Sequence, residues 1–408
     1  MLTFKQYLIE AVKEGKNLHL EHLEDEVLNH GIDGTRAAIN FLQSLRDMLA
    51  GNVKKSVNVS VKWDGAPAIF AGINPENDKF FVGTKGVFNV NPKVNYTDAD
   101  IDKNHSAAGL NEKLKVALKH LPKLGITNVL QGDMLFTDND FKTETIDDKS
   151  YITFTPNTIT YAIPKESSHK ITKAKMGIVW HTTYSGEKLE DMRASFGANI
   201  GGLSKTNDVW FSDANYQDTS GTVNFNKAET TSFTNILSLA GKQFRKLDSL
   251  FLNELPKQTN LLILIKTFTN VKVREGQKIS NTAKHTTDMI KYIDDKLQKD
   301  IDKVKTQKTK DSKKKHKDNV IRFLTSKKNH LKNIFEMQNL LVDAKNVVIR
   351  KLEKAKGAMD TFIRTENGYR VTSPEGFVAI DQTGNAVKLV DRLEFSRANF
   401  NAAKDWTK

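Results

Sequence analysis

Val57-Asn58-Val59-Ser60-Val61-Lys62-Trp63-Asp64-Gly65-Ala66-Pro67-Ala68 decides how the rest of the chain is read. Its first six residues alternate apolar and polar, as a half-buried strand does, and run straight into a lysine, an acid and a turn glycine. A lysine at a strand end is ordinarily an exposed edge residue. Beside a carboxylate and a glycine turn it is also a candidate nucleophile, which needs a fixed backbone, an orienting neighbour and surroundings that release its neutral amine. Gly65 would permit a tight turn and the close approach of a ligand phosphate or sugar. Lys-x-Asp-Gly alone is too short to decide the chemistry.

From Ser56 to about Phe225 the same texture of short runs continues, punctuated by Gly, Asn, Asp and Pro. Residues 68–72, 79–83, 129–133, 158–163 and 177–181 are strand candidates, interrupted by a helix from Leu110 to Leu121. Closely spaced strands favour antiparallel sheets over a doubly wound parallel fold. Residues 1–50 read as helical, with Phe4, Tyr7, Leu8 and Ala11 on one face and a second helix after the Gly31-Ile32-Asp33-Gly34 turn. Between about Thr231 and Lys356 apolar residues recur near the 3.6 period, the stripe of an antiparallel helical bundle. Strand texture returns at 369–371, 376–380 and 386–390. The chain therefore reads as an α+β domain, residues 1–228 and 359–408, with an all-α insertion at 229–358.

Lys62-Trp63-Asp64-Gly65 resembles the nucleotide-accepting motif of the covalent nucleotidyltransferases: ATP-dependent DNA ligases, RNA ligases and mRNA capping enzymes. Further candidates follow in that family's order. Gly83-Thr84-Lys85-Gly86 resembles its basic turn at the nucleotide ribose, and Leu130-Gln131-Gly132-Asp133 its strand ending in Gly-Glu-Leu, with Asp133 for the usual glutamate. Thr160-Tyr161-Ala162-Ile163 resembles the strand whose aromatic ring stacks on the base. Glu375-Gly376-Phe377-Val378 matches Glu-Gly-x-Val, and Val387-Lys388-Leu389-Val390 resembles the terminal Lys-x-Lys motif. The resemblance covers residues 55–185 and 370–392. It implies an ATP-grasp-like ligase adenylation fold, two antiparallel sheets around a nucleotide cleft. It also implies catalytic roles for Lys62, Asp64 and Lys388, and nucleotide contacts from Val61, Gly65, Lys85, Tyr161 and Arg392. Asp133 and Glu375 would be oxygen ligands for Mg²⁺.

The implied reaction is attack of Lys62 on the α-phosphate of ATP, followed by transfer of AMP to a 5′-phosphate and sealing by a 3′-hydroxyl. Lys388 and the metal would depress the pKa of Lys62. Departures from the pattern are informative. Pro67 stands where DNA ligases usually carry arginine, Lys85 lacks the bidentate fork of arginine, and Val390 replaces the second terminal lysine, with Arg392 close by. Only 16 residues follow Arg392, so no C-terminal OB-fold is expected. Two alternatives stay open: a nucleic-acid-binding protein on an inactive nucleotidyltransferase scaffold, and, less favoured without an OB-fold, a capping guanylyltransferase.

Composition agrees with a nucleic-acid partner. The 408 residues carry 62 Lys+Arg against 49 Asp+Glu, a net charge of +13. Twelve Lys/Arg against Asp311 and Asp318 place +10 of it between Lys303 and Lys332. Such a run reads either as a solvated face or as a phosphate-contact surface. Lys313, Lys314, Lys315, Lys317, Arg322, Lys327 and Lys328 are the nucleic-acid candidates, in a segment joining two helices or forming their ends. The absence of cysteine excludes disulfides, cysteine-held metal sites and a thiol nucleophile. The longest apolar run, Leu261–Ile265, is far too short for a membrane span, and no secretory signal is read. A monomer in the cytoplasm is expected, and the Asn/Lys-rich texture resembles that of tailed-bacteriophage proteins, which would place it in an infected host. His19 and His22 read as a polar helix face or cap, with metal or pyrophosphate contact as alternatives. His169 and His181 read as surface or sheet-edge residues, with Lys173 or Lys175 as an alternative triphosphate contact.

Overall fold

The computed structural model describes residues 21–51, 57–166, 170–214, 224–354, 359–365, 368–371, 375–381 and 386–396. The amphipathic segment at 4–11, His19, His169 and Trp406 lie outside them. Helices are α1 (Glu26–Leu49), α2 (Asp98–Asn104), α3 (Ala108–His120), α4 (Lys227–Phe244), α5 (Ser249–Glu254), α6 (Thr259–Arg274), α7 (Thr282–Asp302), α8 (Gln307–Ser326) and α9 (Lys328–Leu352). Strands are β1 (Val57–Lys62), β2 (Ala68–Ile73), β3 (Phe80–Gly83), β4 (Val129–Thr137), β5 (Lys142–Ile146), β6 (Lys149–Phe154) and β7 (Ile159–Pro164). They continue as β8 (Met176–Ser185), β9 (Arg193–Phe196), β10 (Val209–Asp213), β11 (Asp360–Thr365), β12 (Gly368–Val371), β13 (Gly376–Asp381) and β14 (Ala386–Leu389).

The fold is α+β with mainly antiparallel sheets, as the strand spacing implies. There are three sheets rather than two. The first is β10-β8-β4-β2-β3 with β9 also on β8, the second β12-β11-β7-β6-β5, and the third β1-β13-β14. Only β10 with β8 pairs in parallel among the described strands. The third sheet joins the two ends of the sequence: Lys62 lies opposite Gly376, and Lys388 opposite Val378.

Three expectations change. The Gly31–Gly34 turn is instead a kink inside α1, where Gly31 adopts φ 60 and Asn253 Oδ1 accepts from the Ile32 N–H at 3.0 Å. The basic run is not a connection but mostly the helix α8, which packs along α7. Strands β5, β6, β9, β10 and β11 have no counterpart among the expected runs, because short polar strands such as Lys142–Ile146 carry little apolar alternation.

The helices do not form a core of their own. Phe233, Leu237, Ile265, Met289, Phe335 and Leu341 share one apolar cluster with Val27 and Leu42 of α1 and with Val57, Phe377 and Leu389 of the third sheet. A buried ionic seam reinforces this junction. Lys345 of α9 is 1% exposed and donates to both carboxylate oxygens of Glu24, at 2.8 and 2.7 Å. Next to it Asp25 accepts twice from Arg392, at 2.9 and 3.1 Å. Burial opposes ionisation of Glu24, but Lys345, helped by Arg392, draws its carboxyl down to about 2.

Lys345→Met should therefore cost about 3–5 kcal/mol in chemical denaturation, because it strands a buried carboxylate, and Glu24→Leu added to it should restore most of the loss. A cost under about 1 kcal/mol would show that the pair does not secure the junction. Since the folded Glu24 carboxyl titrates below its unfolded value, the stabilisation from the Glu24–Lys345 pair is present above pH 4.5 and fades as pH falls towards 2.

Candidate active site

β1 carries Lys62 to the rim of a cavity of about 360 Å³ bounded by the first and third sheets. Lys62, Lys85, Asp133 and Lys388 all line it, as do Val61 and Trp63. These residues come from the end of β1, the turn after β3, β4 and β14, and the fold brings them together. Because Lys62 faces Gly376 across β1 and β13, the preceding Glu375 falls beside the lysine, and Lys62 Nζ donates to Glu375 Oε2. Gly376 makes this possible. At φ 148, with a hypothetical Cβ 2.5 Å from the Leu389 carbonyl, no other residue could begin β13 so close to β14.

Asp64 holds the turn rather than facing the cavity. It is 2% exposed and accepts from Asn157 Nδ2 at 2.7 Å and from the N–H groups of Thr158 and Ile159 at 2.6 Å each. The turn after β1 is thus pinned to the loop entering β7. Gly65 likewise serves the protein: a Cβ there would meet Asp133 Cβ at 2.6 Å and the Met134 carbonyl at 2.9 Å. Its missing side chain makes room for β4, not for a ligand.

Two expected nucleotide contacts are placed elsewhere. The Tyr161 ring is 2% exposed, stacked between Trp63 (centroids 5.4 Å) and Phe154 (5.3 Å), and its hydroxyl accepts from the Asp64 N–H at 2.8 Å. It supports Trp63 from behind, and Trp63 is the ring that reaches the cavity. Arg392 is committed to Asp25 and, at 2.7 Å, to Asn270 of α6, so it braces the junction. Of the alternatives, Lys175 pairs with Asp138 at 2.8 Å and is not part of the cavity wall. His22 bridges to Lys388 in the backbone, and the Lys388 N–H donates to the Glu21 carbonyl at 3.2 Å. The N-terminal segment therefore edges the strand that carries Lys388.

Sequence reasoning placed a strand at 177–181 but missed the part that β8 plays in the cavity wall. His181, Thr182 and Tyr184 line the cavity, facing Gln131 and Asp133 of β4. His181 Nδ1 lies 2.8 Å from Thr182 Oγ1, and Nε2 lies 3.7 Å from Asp133 Oδ2. The available signal was the abrupt change from Ile178-Val179-Trp180 to His181-Thr182-Thr183 within one strand.

The protein's own groups act on Lys62 in the direction opposite to that expected of Lys388 and a metal. Burial is the largest single influence on Lys62 and works against its charge, but Glu375, Asp133 and Asp64 outweigh it and raise the amine above its ordinary value. The surrounding carboxylates thus favour the charged form of Lys62. Burial pushes the Glu375 carboxyl up against the pull of Lys62, and burial with the Lys62 charge lowers Lys388. Among the described residues no group of three or more His, Asp or Glu side chains is arranged to hold a metal ion. Asp133 and Glu375, both acting on Lys62, are the carboxylates nearest the lysine that could offer oxygen ligands.

The basic helix divides into two faces. Lys317 pairs with Asp294 of α7 at 3.1 Å, and Lys313 donates to the Asp300 carbonyl at 3.4 Å, so both help seat α8 on α7. Lys314, Lys315 and Arg322 are exposed, as is Lys308 near the start of α8. Beyond α8, Lys327 lies over the Phe251 ring at 5.7 Å and Lys328 is exposed at the start of α9.

Glu375→Gln removes the charge that holds the Lys62 proton while leaving the burial that opposes it. The Lys62 titration, followed by pH-dependent modification with a small amine-reactive reagent and peptide mass spectrometry, should move downward. An unchanged or higher titration would mean that Glu375 does not set the state of the amine.

No curated protein and no solved structure matches the chain. A family defined by sequence matches residues 17–404, a span that contains the ionic seam, the cavity and the basic helix together. The chain belongs to that family, DUF6267, a family of unknown function.

Proposed function

We propose that the protein is an ATP-dependent polynucleotide ligase that works through a lysyl-AMP intermediate on Lys62. One observation carries this reading: Lys62, Asp133, Glu375 and Lys388 are scattered over more than three hundred residues, yet all belong to one cavity or, for Glu375, to the lysine at its rim. A half-buried lysine held by a carboxylate, with a second lysine on the same sheet lining the cavity, suits nucleotidyl transfer to nitrogen.

In this mechanism Lys62 loses a proton to Glu375, whose raised carboxyl is the nearest acceptor, and Nζ attacks the α-phosphorus. A P–N bond forms, the bond to the bridging oxygen breaks, and pyrophosphate departs. Lys388 and Lys85, which both line the cavity, would balance phosphate charge. Mg²⁺ arriving with the nucleotide would be held by Asp133, and by Glu375 before it takes the proton, and would neutralise phosphate oxygens. The AMP then passes to a polynucleotide 5′-phosphate, and a 3′-hydroxyl displaces it. The exposed face of α8 supplies the phosphate-backbone contacts that would retain DNA or RNA.

Incubation with α-labelled ATP and Mg²⁺ should give a covalent adduct that Lys62→Ala abolishes. No adduct, with nucleic-acid binding retained, would favour the inactive-scaffold alternative. Neutralising Lys308, Lys314, Lys315 and Arg322 together should weaken polynucleotide binding and flatten its salt dependence by about 0.9 log units per lost duplex phosphate contact, while adduct formation persists. An unchanged salt slope would remove α8 from the interface.

A further inference from the structure

The cavity has a second half that the phosphate chemistry does not use. Its floor is laid by three adjacent strands, with Phe70 of β2 opposite Gln131 of β4, and Gln131 opposite Thr182 of β8. Along β4 this row lies two residues from Asp133, about 7 Å further from the reacting end at ordinary strand pitch. A regular strand would not present both His181 and Thr182 to one face, because neighbours alternate. Here the register slips: Gln131 pairs with Thr182 but Gly132 pairs with Trp180, leaving His181 as an extra residue without a partner on β4. This bulge turns His181 towards Asp133 and carries Thr182 and Tyr184 onto the same floor.

Gln131 is held in a defined orientation. Tyr184 Oη donates to Gln131 Oε1 at 2.9 Å, and burial pushes the Tyr184 phenol up to about 12, so it remains a donor. Tyr184 is itself fixed by Phe70 (centroids 5.5 Å) and Phe88 (4.8 Å). A carboxamide oxygen accepts two hydrogen bonds, so one lone pair remains beside the two Nε2 donors. An acceptor and a donor side by side match the N6 amino group and N7 of adenine. Guanine presents two acceptors at the same edge and would set O6 against Oε1. Phe70 and Ala194 supply apolar surface beside these polar groups.

We infer that Gln131, braced by Tyr184 on the floor created by the His181 bulge, is the nucleobase-reading residue of this cavity and selects adenine over guanine. The inference rests on the proposed nucleotide reading, and the test separates the two. ATP and GTP are titrated calorimetrically into Lys62→Ala protein, which can bind but cannot form the adduct. ATP should bind about ten- to a hundred-fold more tightly than GTP, and Gln131→Leu in that background should bring the ratio close to one. Tyr184→Phe should narrow the ratio by a smaller factor, because it frees the carboxamide to rotate without removing it. Thermal melts of each variant confirm folding, with Gln131→Ala as a second replacement if leucine destabilises.

Equal affinities, no binding of either nucleotide, or a ratio untouched by Gln131→Leu would overturn the inference. If ATP preference depends on Gln131 but the lysine-bearing protein forms no adduct, the subsite stands and the ligase reading falls. If the adduct forms and Gln131→Leu leaves the ratio unchanged, the ligase reading stands and the subsite falls.

Discussion

The pairing of β1 with β13 is the constraint on which the rest of the molecule depends. It places Lys62 against Gly376 and so sets Glu375 beside the lysine, two side chains 313 residues apart. Closing so long a loop carries an entropic cost that grows only slowly with length, so the intervening helices are tolerated as long as the junction is secured. Apolar burial secures most of it, through a cluster that runs from α1 across α4, α6, α7 and α9 into the third sheet. The Glu24–Lys345 and Asp25–Arg392 pairs add geometric definition.

Charge is partitioned by depth. The buried pairs are matched one to one, as they must be where an isolated charge would be costly. At the cavity the matching is deliberately incomplete in effect: three carboxylates hold Lys62 charged, while Lys85 and Lys388 add positive charge to the walls. On the surface, α8 carries its excess outward, and only Lys313 and Lys317 turn to α7. An anion entering the cavity and a polyanion lying on α8 would thus meet different kinds of positive charge, one desolvated and specific, the other hydrated and salt-sensitive.

Much of the site was legible in the sequence because strand alternation and short motifs travel together. Lys62, Asp133 and Lys388 sit on strands whose inward faces follow from period two, and Glu375 follows from the register of the strand it precedes. Tyr161 was misplaced because alternation says that successive residues face opposite ways, not which sheet covers either face; here a stacked column with Trp63 and Phe154 encloses it. His181 was hidden by the bulge, which breaks the phase on which such reasoning relies. Arg392 looked like a spare phosphate ligand only because its acidic partner, Asp25, lies 367 residues away. The helical segment was recognised as helical, yet its role as part of the same core depends on contacts that no local pattern encodes.

The junction of β1 and β13 also imposes an order on synthesis. β1 emerges early, with Val57, Val59 and Val61 along one face, while the strand that covers it is encoded about three hundred residues later. At roughly 5–20 residues per second, that edge waits on the order of 15 to 60 s for its partner. During that interval it is an open strand edge of the kind that recruits neighbouring chains. The cavity is accordingly the last part of the molecule to come into existence, and a polypeptide stopped before Gly376 would lack β13, β14 and Lys388 while keeping almost all of its helices.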